Sequence, residues 1–203
     1  DPAIPPHLGG AQRQDWVNRK YMSTEAEMSQ TRTFDRALDF IETNKDQDQW
    51  FLQVECFDPH PPFFAAERFR DLYADDYDGP LFDYPNYAAV NEDEETQEAI
   101  EHCRRQYAAL VSQCDHSLGR IIAKMDAADL WDDTMLIVTT DHGFLLGEHQ
   151  WWAFVKPPFY DRVARKPLFI HDPRTARAGR RSSCLVQTHD LPATILEYFG
   201  VER

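Results

Sequence analysis

Residues 135–143 read Met135-Leu136-Ile137-Val138-Thr139-Thr140-Asp141-His142-Gly143, and this stretch decides the fold. Its first six residues form an apolar, β-branched run of the length of a buried strand. The run stops abruptly on a carboxylate, an imidazole and a glycine. A continuous apolar run without alternation predicts a strand covered on both faces, the habit of parallel sheets flanked by helices. In such sheets ligands gather beyond the carboxyl ends of the strands. Asp141 and His142 are therefore presented together at a sharp turn on the sheet edge, which suits a divalent metal. The plainer alternative is an aspartate that caps the next turn beside a histidine that bonds locally.

Upstream of this strand, Ile100, Cys103, Tyr107, Leu110, Cys114, Leu118, Ile121 and Met125 recur at three- or four-residue steps, with no proline from Asn91 to Thr134. That spacing predicts one long amphipathic helix. An acidic, aromatic stretch from about residue 74 to Glu92 precedes it and reads as a long surface loop, with a short helix before it at 65–73. Further back, Trp50 to Phe57 reads as a second buried strand, running into Asp58-Pro59-His60-Pro61-Pro62, where the prolines end both strand and helix. A helix spans about Ser23 to Asn44, with Phe34, Leu38 and Ile41 on one face. Residues 1–22 show no steady period and read as a loop or torn chain end, leaving 23–203 as a single α/β domain.

Downstream, Leu168 to Ile170 is a short third strand and Cys184 to Gln187 a fourth. A closing helix follows from Asp190 to Phe199, with Asp190 as N-cap, Pro192 in the first turn and Gly200 as its stop. Strands alternating with helices over this length predict an α/β fold with a mostly parallel sheet covered by helices on both faces.

The 203 residues suffice for one domain with a real core, and no apolar run is long enough to span a bilayer. A formal net charge of -14 argues against nucleic acid as a partner, since phosphate binding needs excess Lys and Arg. An anionic substrate must then be drawn by a local field, from a bound cation or a few basic side chains. The four cysteines, Cys56, Cys103, Cys114 and Cys184, show neither zinc spacing nor a disulfide framework and read as small buried hydrophobes. No basic, apolar leader opens the sequence at Asp1, and the compartment stays open.

Other side chains suggest chemistry. His60, fenced by prolines, has little freedom, which suits a preorganised proton donor or anion contact; otherwise it is incidental to a rigid loop. Lys156, before Pro157 and Pro158, could set an ammonium against an anion, although most lysines are simply solvated. Glu148 and His149 either brace the Asp141 loop or form a structural turn. Trp151, Trp152 and Phe154 line a pocket or pack, and the run Arg174, Arg177, Arg180 and Arg181 reads as a solvated loop.

Taken in order, these motifs resemble the type I sulfatases of the alkaline-phosphatase superfamily from about residue 34 to the end. Phe57-Asp58-Pro59-His60-Pro61-Pro62-Phe63 looks like the family's histidine loop. Asp115-His116-Ser117-Leu118-Gly119-Arg120-Ile121 is similar to its long helix, and Leu136 to Gly143 with Leu146-Gly147-Glu148-His149 to its metal loop. Lys156 with Tyr160-Asp161, Arg165 and Pro167-Leu168 resembles the segment of its active-site lysine, and Asp190 to Leu196 its late helix. The resemblance implies that Asp141 and His142 are half of a divalent-metal site, that Lys156 contacts the sulfate and the leaving oxygen, and that His60 contacts the sulfate or protonates the leaving group. It implies calcium first; the His142 nitrogen makes manganese or zinc more plausible than in an all-oxygen cage. The implied substrate is a small-molecule or carbohydrate sulfate ester.

The sequence also departs from that pattern. The family's nucleophile is a Cys or Ser in a C/S-x-P-x-R motif, oxidised to formylglycine, and no cysteine here has a proline two residues later. The early pair of aspartate ligands is absent as well. The spacing from His149 to Lys156 is longer than usual, so Lys156 is assigned by its register to Tyr160-Asp161. The expectation is a truncated, incomplete α/β piece of a sulfuric-ester hydrolase, inactive alone, with formylglycine belonging to a missing N-terminal part. The rivals are a phosphonate monoester or phosphodiester hydrolase of the same superfamily and a non-catalytic fragment. A sheet short of its N-terminal strands would expose an apolar edge and favour self-association.

Overall fold

The computed structural model describes residues 9–155, 158–175 and 179–201. Helices α1 (Gly10–Arg19), α2 (Ser29–Asn44), α3 (Glu67–Arg70) and α4 (Gln97–Ala127) precede strands β1 (Leu136–Thr139), β2 (Leu145–Leu146) and β3 (Trp152–Ala153). Helix α5 (Asp161–Ala164), strand β4 (Leu168–His171) and helix α6 (Asp190–Tyr198) complete the order.

The 31-residue α4 is the spine. It starts where the Thr96 hydroxyl accepts from the Ala99 N–H at 3.2 Å, satisfying one orphan donor of the first turn. Glu98 near that end and Lys124 near the other both suit the helix dipole. Its apolar face serves two cores in succession. Ile100, Cys103 and Leu110 pack with Phe63, Phe69, Leu146 and Trp152. Ile121 and Met125 pack with Ala37 and Ile41 of α2 and with Leu130. At about 46 Å for its length, α4 ties the α2 end of the molecule to the β2–β3 end.

Residues 10–19 are helical, which corrects the expected loop over 1–22. The anchor of α1 is ionic and carries no periodic signature. Arg19 donates to Asp15 at 2.8 Å and to Asp83 at 2.8 Å, and its guanidinium lies 4.5 Å from the centre of the Phe64 ring. Burial holds the Asp15 carboxyl above its usual range despite Arg19 beside it.

Strand directions also differ from expectation. β1 pairs with β4 antiparallel, Leu136 opposite His171 and Thr139 opposite Leu168. β2 and β3 form a small antiparallel hairpin across the turn at Gly147, whose φ of 87° suits glycine. An apolar run says nothing about the direction of the neighbouring strand, and β1 is only half-buried with Thr139 exposed, which corrects the expectation of a strand covered on both faces. Residues 50–57 are extended, with Leu52, Val54 and Cys56 turned inward and Phe51 and Phe57 exposed. Among the described residues they have no ladder partner, so the alternation of a strand is present without a strand.

Cys184–Gln187 is likewise not a strand, and Leu185 is fully exposed. Only Cys103 is buried; Cys56 and Cys114 are half-buried and Cys184 is exposed, which corrects the reading of all four as buried. In α6, Asp190 is the first helical residue rather than the cap, and its carboxylate accepts from the Gln187 N–H at 2.8 Å. Gly200 ends the helix at φ 68°, as expected.

Candidate active site

Four segments meet around the Phe144 ring: the proline-fenced loop after residue 57, the loop over 74–92, the loop after β1, and the β2–β3 hairpin. Ring centres of His60, Phe63, Tyr87 and Phe154 lie 6.0, 6.0, 5.7 and 5.6 Å from that of Phe144. Phe154 in turn lies 3.7 Å from the His142 ring, tilted by 32°. His60 and His142, far apart in sequence, thus stand on one aromatic nest.

The His60 ring is held at both nitrogens. Nδ1 lies 2.7 Å from the Pro61 carbonyl oxygen and Nε2 lies 2.7 Å from the Tyr87 hydroxyl. The Phe57 ring centre lies 4.3 Å from that of His60, the two planes tilted by 48°. Burial pushes the Tyr87 phenol up to about 12. Burial also pushes the neighbouring Asp58 carboxyl up to about 6.

Asp141 and His142 leave β1 as a pair. The Asp141 Oδ1 accepts from the His142 N–H at 2.9 Å, and its Oδ2 lies 3.6 Å from His142 Nε2. His142 Nδ1 lies 2.9 Å from the Gly143 carbonyl oxygen. A carbonyl only accepts, so the neutral ring carries its hydrogen on Nδ1 and its lone pair on Nε2, facing the carboxylate. That donor set, one nitrogen lone pair and one carboxylate oxygen with a carbonyl behind the imidazole, fits a divalent cation. Among the described residues no group of three or more His, Cys, Asp and Glu side chains comes together to hold a metal ion, so this pair offers at most two ligands.

Gly143 fixes where this loop lies. Its N–H donates to the Val163 carbonyl at 2.8 Å, and a Cβ there would stand 1.8 Å from the Arg162 carbonyl oxygen. Glu148 closes the hairpin from within: one carboxylate oxygen accepts from the Leu146 N–H at 2.6 Å and the other lies 3.4 Å from Arg162. His149, at φ 56°, stacks on Tyr160 with ring centres 3.7 Å apart. Lys156 lies outside the described residues, between Phe154 and Tyr160, which are both placed.

Sequence reasoning missed Tyr87. It lies in the acidic, aromatic loop already marked as long and irregular, and nothing in its spacing points at His60. The loop is brought there from two sides. Gln12 of α1 donates to the Tyr84 carbonyl at 2.9 Å, and the Trp152 N–H of β3 donates to the Ala88 carbonyl at 2.9 Å.

Residues 7–201 match the family model described as Sulfatase. The chain is 30% identical over 200 residues to the multifunctional alkaline phosphatase superfamily protein PehA of Trinickia caryophylli, covering 83% of this chain and 37% of that protein. It is 37% identical over 98 residues to the N-acetylglucosamine-6-O-sulfatase of Bacteroides thetaiotaomicron, covering 48% of this chain and 17% of that protein. Among solved structures, the phosphonate monoester hydrolase of Silicibacter pomeroyi superposes with a TM-score of 0.71 at 25% identity, covering 87% of this chain and 39% of that one. The chain therefore spans well under half the length of these relatives. Its α/β architecture is theirs, and with nearly all of its residues matched by the family model, this chain belongs to the sulfatase family of the alkaline-phosphatase superfamily.

Proposed function

We propose that this chain supplies part of the active site of a sulfuric-ester hydrolase. The observation that carries the reading is that His60 and His142 stand on one aromatic nest, with the Asp141 carboxylate 3.6 Å from the His142 ring nitrogen. In this reading Asp141 and His142 are half of a divalent-metal site, with calcium first and manganese or zinc favoured only by the imidazole nitrogen. A bound cation there would supply positive charge against the transferring sulfate. His60 contacts the sulfate or protonates the leaving oxygen, and Lys156 contacts the sulfate and the same oxygen. Glu148 and His149 hold the hairpin that carries Phe154 beneath His142.

The nucleophile, a formylglycine made from Cys or Ser, belongs in this reading to a segment outside the chain, and the chain alone has no turnover. The substrate class is a small-molecule or carbohydrate sulfate ester, supported by the N-acetylglucosamine-6-O-sulfatase among the relatives. A second reading, a phosphonate monoester or phosphodiester hydrolase, is favoured by the likeness to the Silicibacter pomeroyi enzyme. Sulfate and phosphonate esters share tetrahedral geometry, so the rates decide between them. A polypeptide of the relatives' length containing this chain is expected to hydrolyse an aryl sulfate faster than the matching phenyl phosphonate. The reverse order would establish the second reading.

A further inference from the structure

The two contacts of the His60 ring fix its protonation pattern. Nδ1 faces the Pro61 carbonyl oxygen, which can only accept, so Nδ1 bears hydrogen in both the neutral and the charged ring. The single lone pair of neutral His60 then lies on Nε2, and there the Tyr87 hydroxyl must donate. When Nε2 is protonated the roles reverse, and the Tyr87 oxygen accepts. Tyr87 therefore covers the one nitrogen through which His60 can pass a proton to anything else.

The phenol is also held in place. Its ring lies edge-on to Phe144 and Phe154, each at 5.7 Å between centres. Its loop is fastened to α1 through Gln12 and through Arg19 to Asp83, and to β3 through Ala88. A tyrosine that merely filled the aromatic nest would not need to end 2.7 Å from a histidine nitrogen.

Resting on the reading of His60 as the acid that serves the leaving oxygen, we propose that Tyr87 is a proton-relay residue standing between His60 and the ester. In the step, the Tyr87 O–H proton moves to the ester oxygen that departs with the electron pair of the breaking S–O bond. The Nε2–H bond breaks at the same time and its proton forms a new O–H on Tyr87. His60 is left neutral with hydrogen on Nδ1, and Tyr87 is again a phenol. Burial, which raises the Tyr87 phenol, disfavours a free phenolate and keeps the two transfers together.

The test has two arms. On this chain, carbethoxylation of His60, in which the lone pair of the neutral ring attacks a carbonyl carbon of diethyl pyrocarbonate and expels ethyl carbonate, is followed by peptide mass spectrometry. Tyr87→Phe removes one hydrogen bond from Nε2 and should raise the rate about fivefold, while Tyr84→Phe leaves it unchanged. Equal rates in Tyr87→Phe and wild type, or labelled-histidine NMR showing hydrogen on Nε2 of the neutral ring, would overturn the proposal. In a polypeptide of the relatives' length, Tyr87→Phe should lower kcat on an aryl sulfate about a hundredfold with KM unchanged. The double variant with His60→Ala should be no slower than His60→Ala alone. A crippled His60→Ala beside a normal Tyr87→Phe would sink the relay and spare the reading of His60. A normal His60→Ala would sink that reading itself, and the relay with it.

Discussion

Replacing Asp58 by asparagine should change the pH dependence of folding in a direction fixed by the structure. The Asp58 carboxyl stands two residues before His60, where burial raises it from 3.8 to about 6. Between those values the folded chain keeps a proton that the unfolded chain has lost. The favourable contribution of the protonated carboxyl is therefore complete below about pH 4 and disappears as pH rises to about 6. Above that, the folded protein carries a desolvated carboxylate at a cost on the order of 3 kcal/mol. The side chain keeps some contact with water, so the expected gain for Asp58→Asn at pH 8 is about 1–3 kcal/mol. Urea unfolding followed by circular dichroism at pH 4.5, 6 and 8 measures it. The introduced amide does not titrate, so the stability difference between variant and wild type should grow across this range and level off above pH 7. A difference that stays constant with pH would refute the desolvation argument; a variant less stable at pH 8 would show that the carboxylate has a partner worth more than its burial costs.

Arg19→Ala leaves Asp15 and Asp83 as buried, uncompensated carboxylates and should cost about 3–5 kcal/mol, read as a drop in the denaturation midpoint. Gly143→Ala forces a Cβ into the Arg162 carbonyl and should cost about 3 kcal/mol while moving the His142 ring signals in NMR spectra. Incubated alone with an aryl sulfate and calcium, the 203-residue chain should show no metal-dependent turnover. Phe51, Phe57, Phe169 and Ile170 are exposed, so sedimentation velocity should reveal self-association that Phe169→Ser weakens.

Legibility in the sequence follows how local each determinant is. The three- and four-residue steps from Ile100 to Met125 are a local property of α4, and they give its length, its buried face and its place as spine. The apolar run ending on Asp141-His142-Gly143 likewise places β1 and the pair beyond it. Partners across the chain were not legible. The pairing of β1 with β4, and its direction, depends on a segment far along the sequence. Helix α1 has few apolar residues and is held by Arg19 between Asp15 and Asp83, a contact without a period to detect. Tyr87 reaches His60 only because α1 and β3 hold its loop from either side. Cys184 had no flanking pattern to show that its segment would be exposed.

In the proposed function, His60, Asp141 and His142 serve one metal-assisted sulfate-ester site. Its most direct test is aryl sulfate turnover by a polypeptide of the relatives' length containing this chain, with calcium, with chelator, and in the variants His60→Ala and Asp141→Ala. Chelator should abolish turnover and calcium restore it, and each substitution should lower it by about a hundredfold or more. Full sulfate turnover in both variants would overturn the proposed site, as would turnover indifferent to chelator.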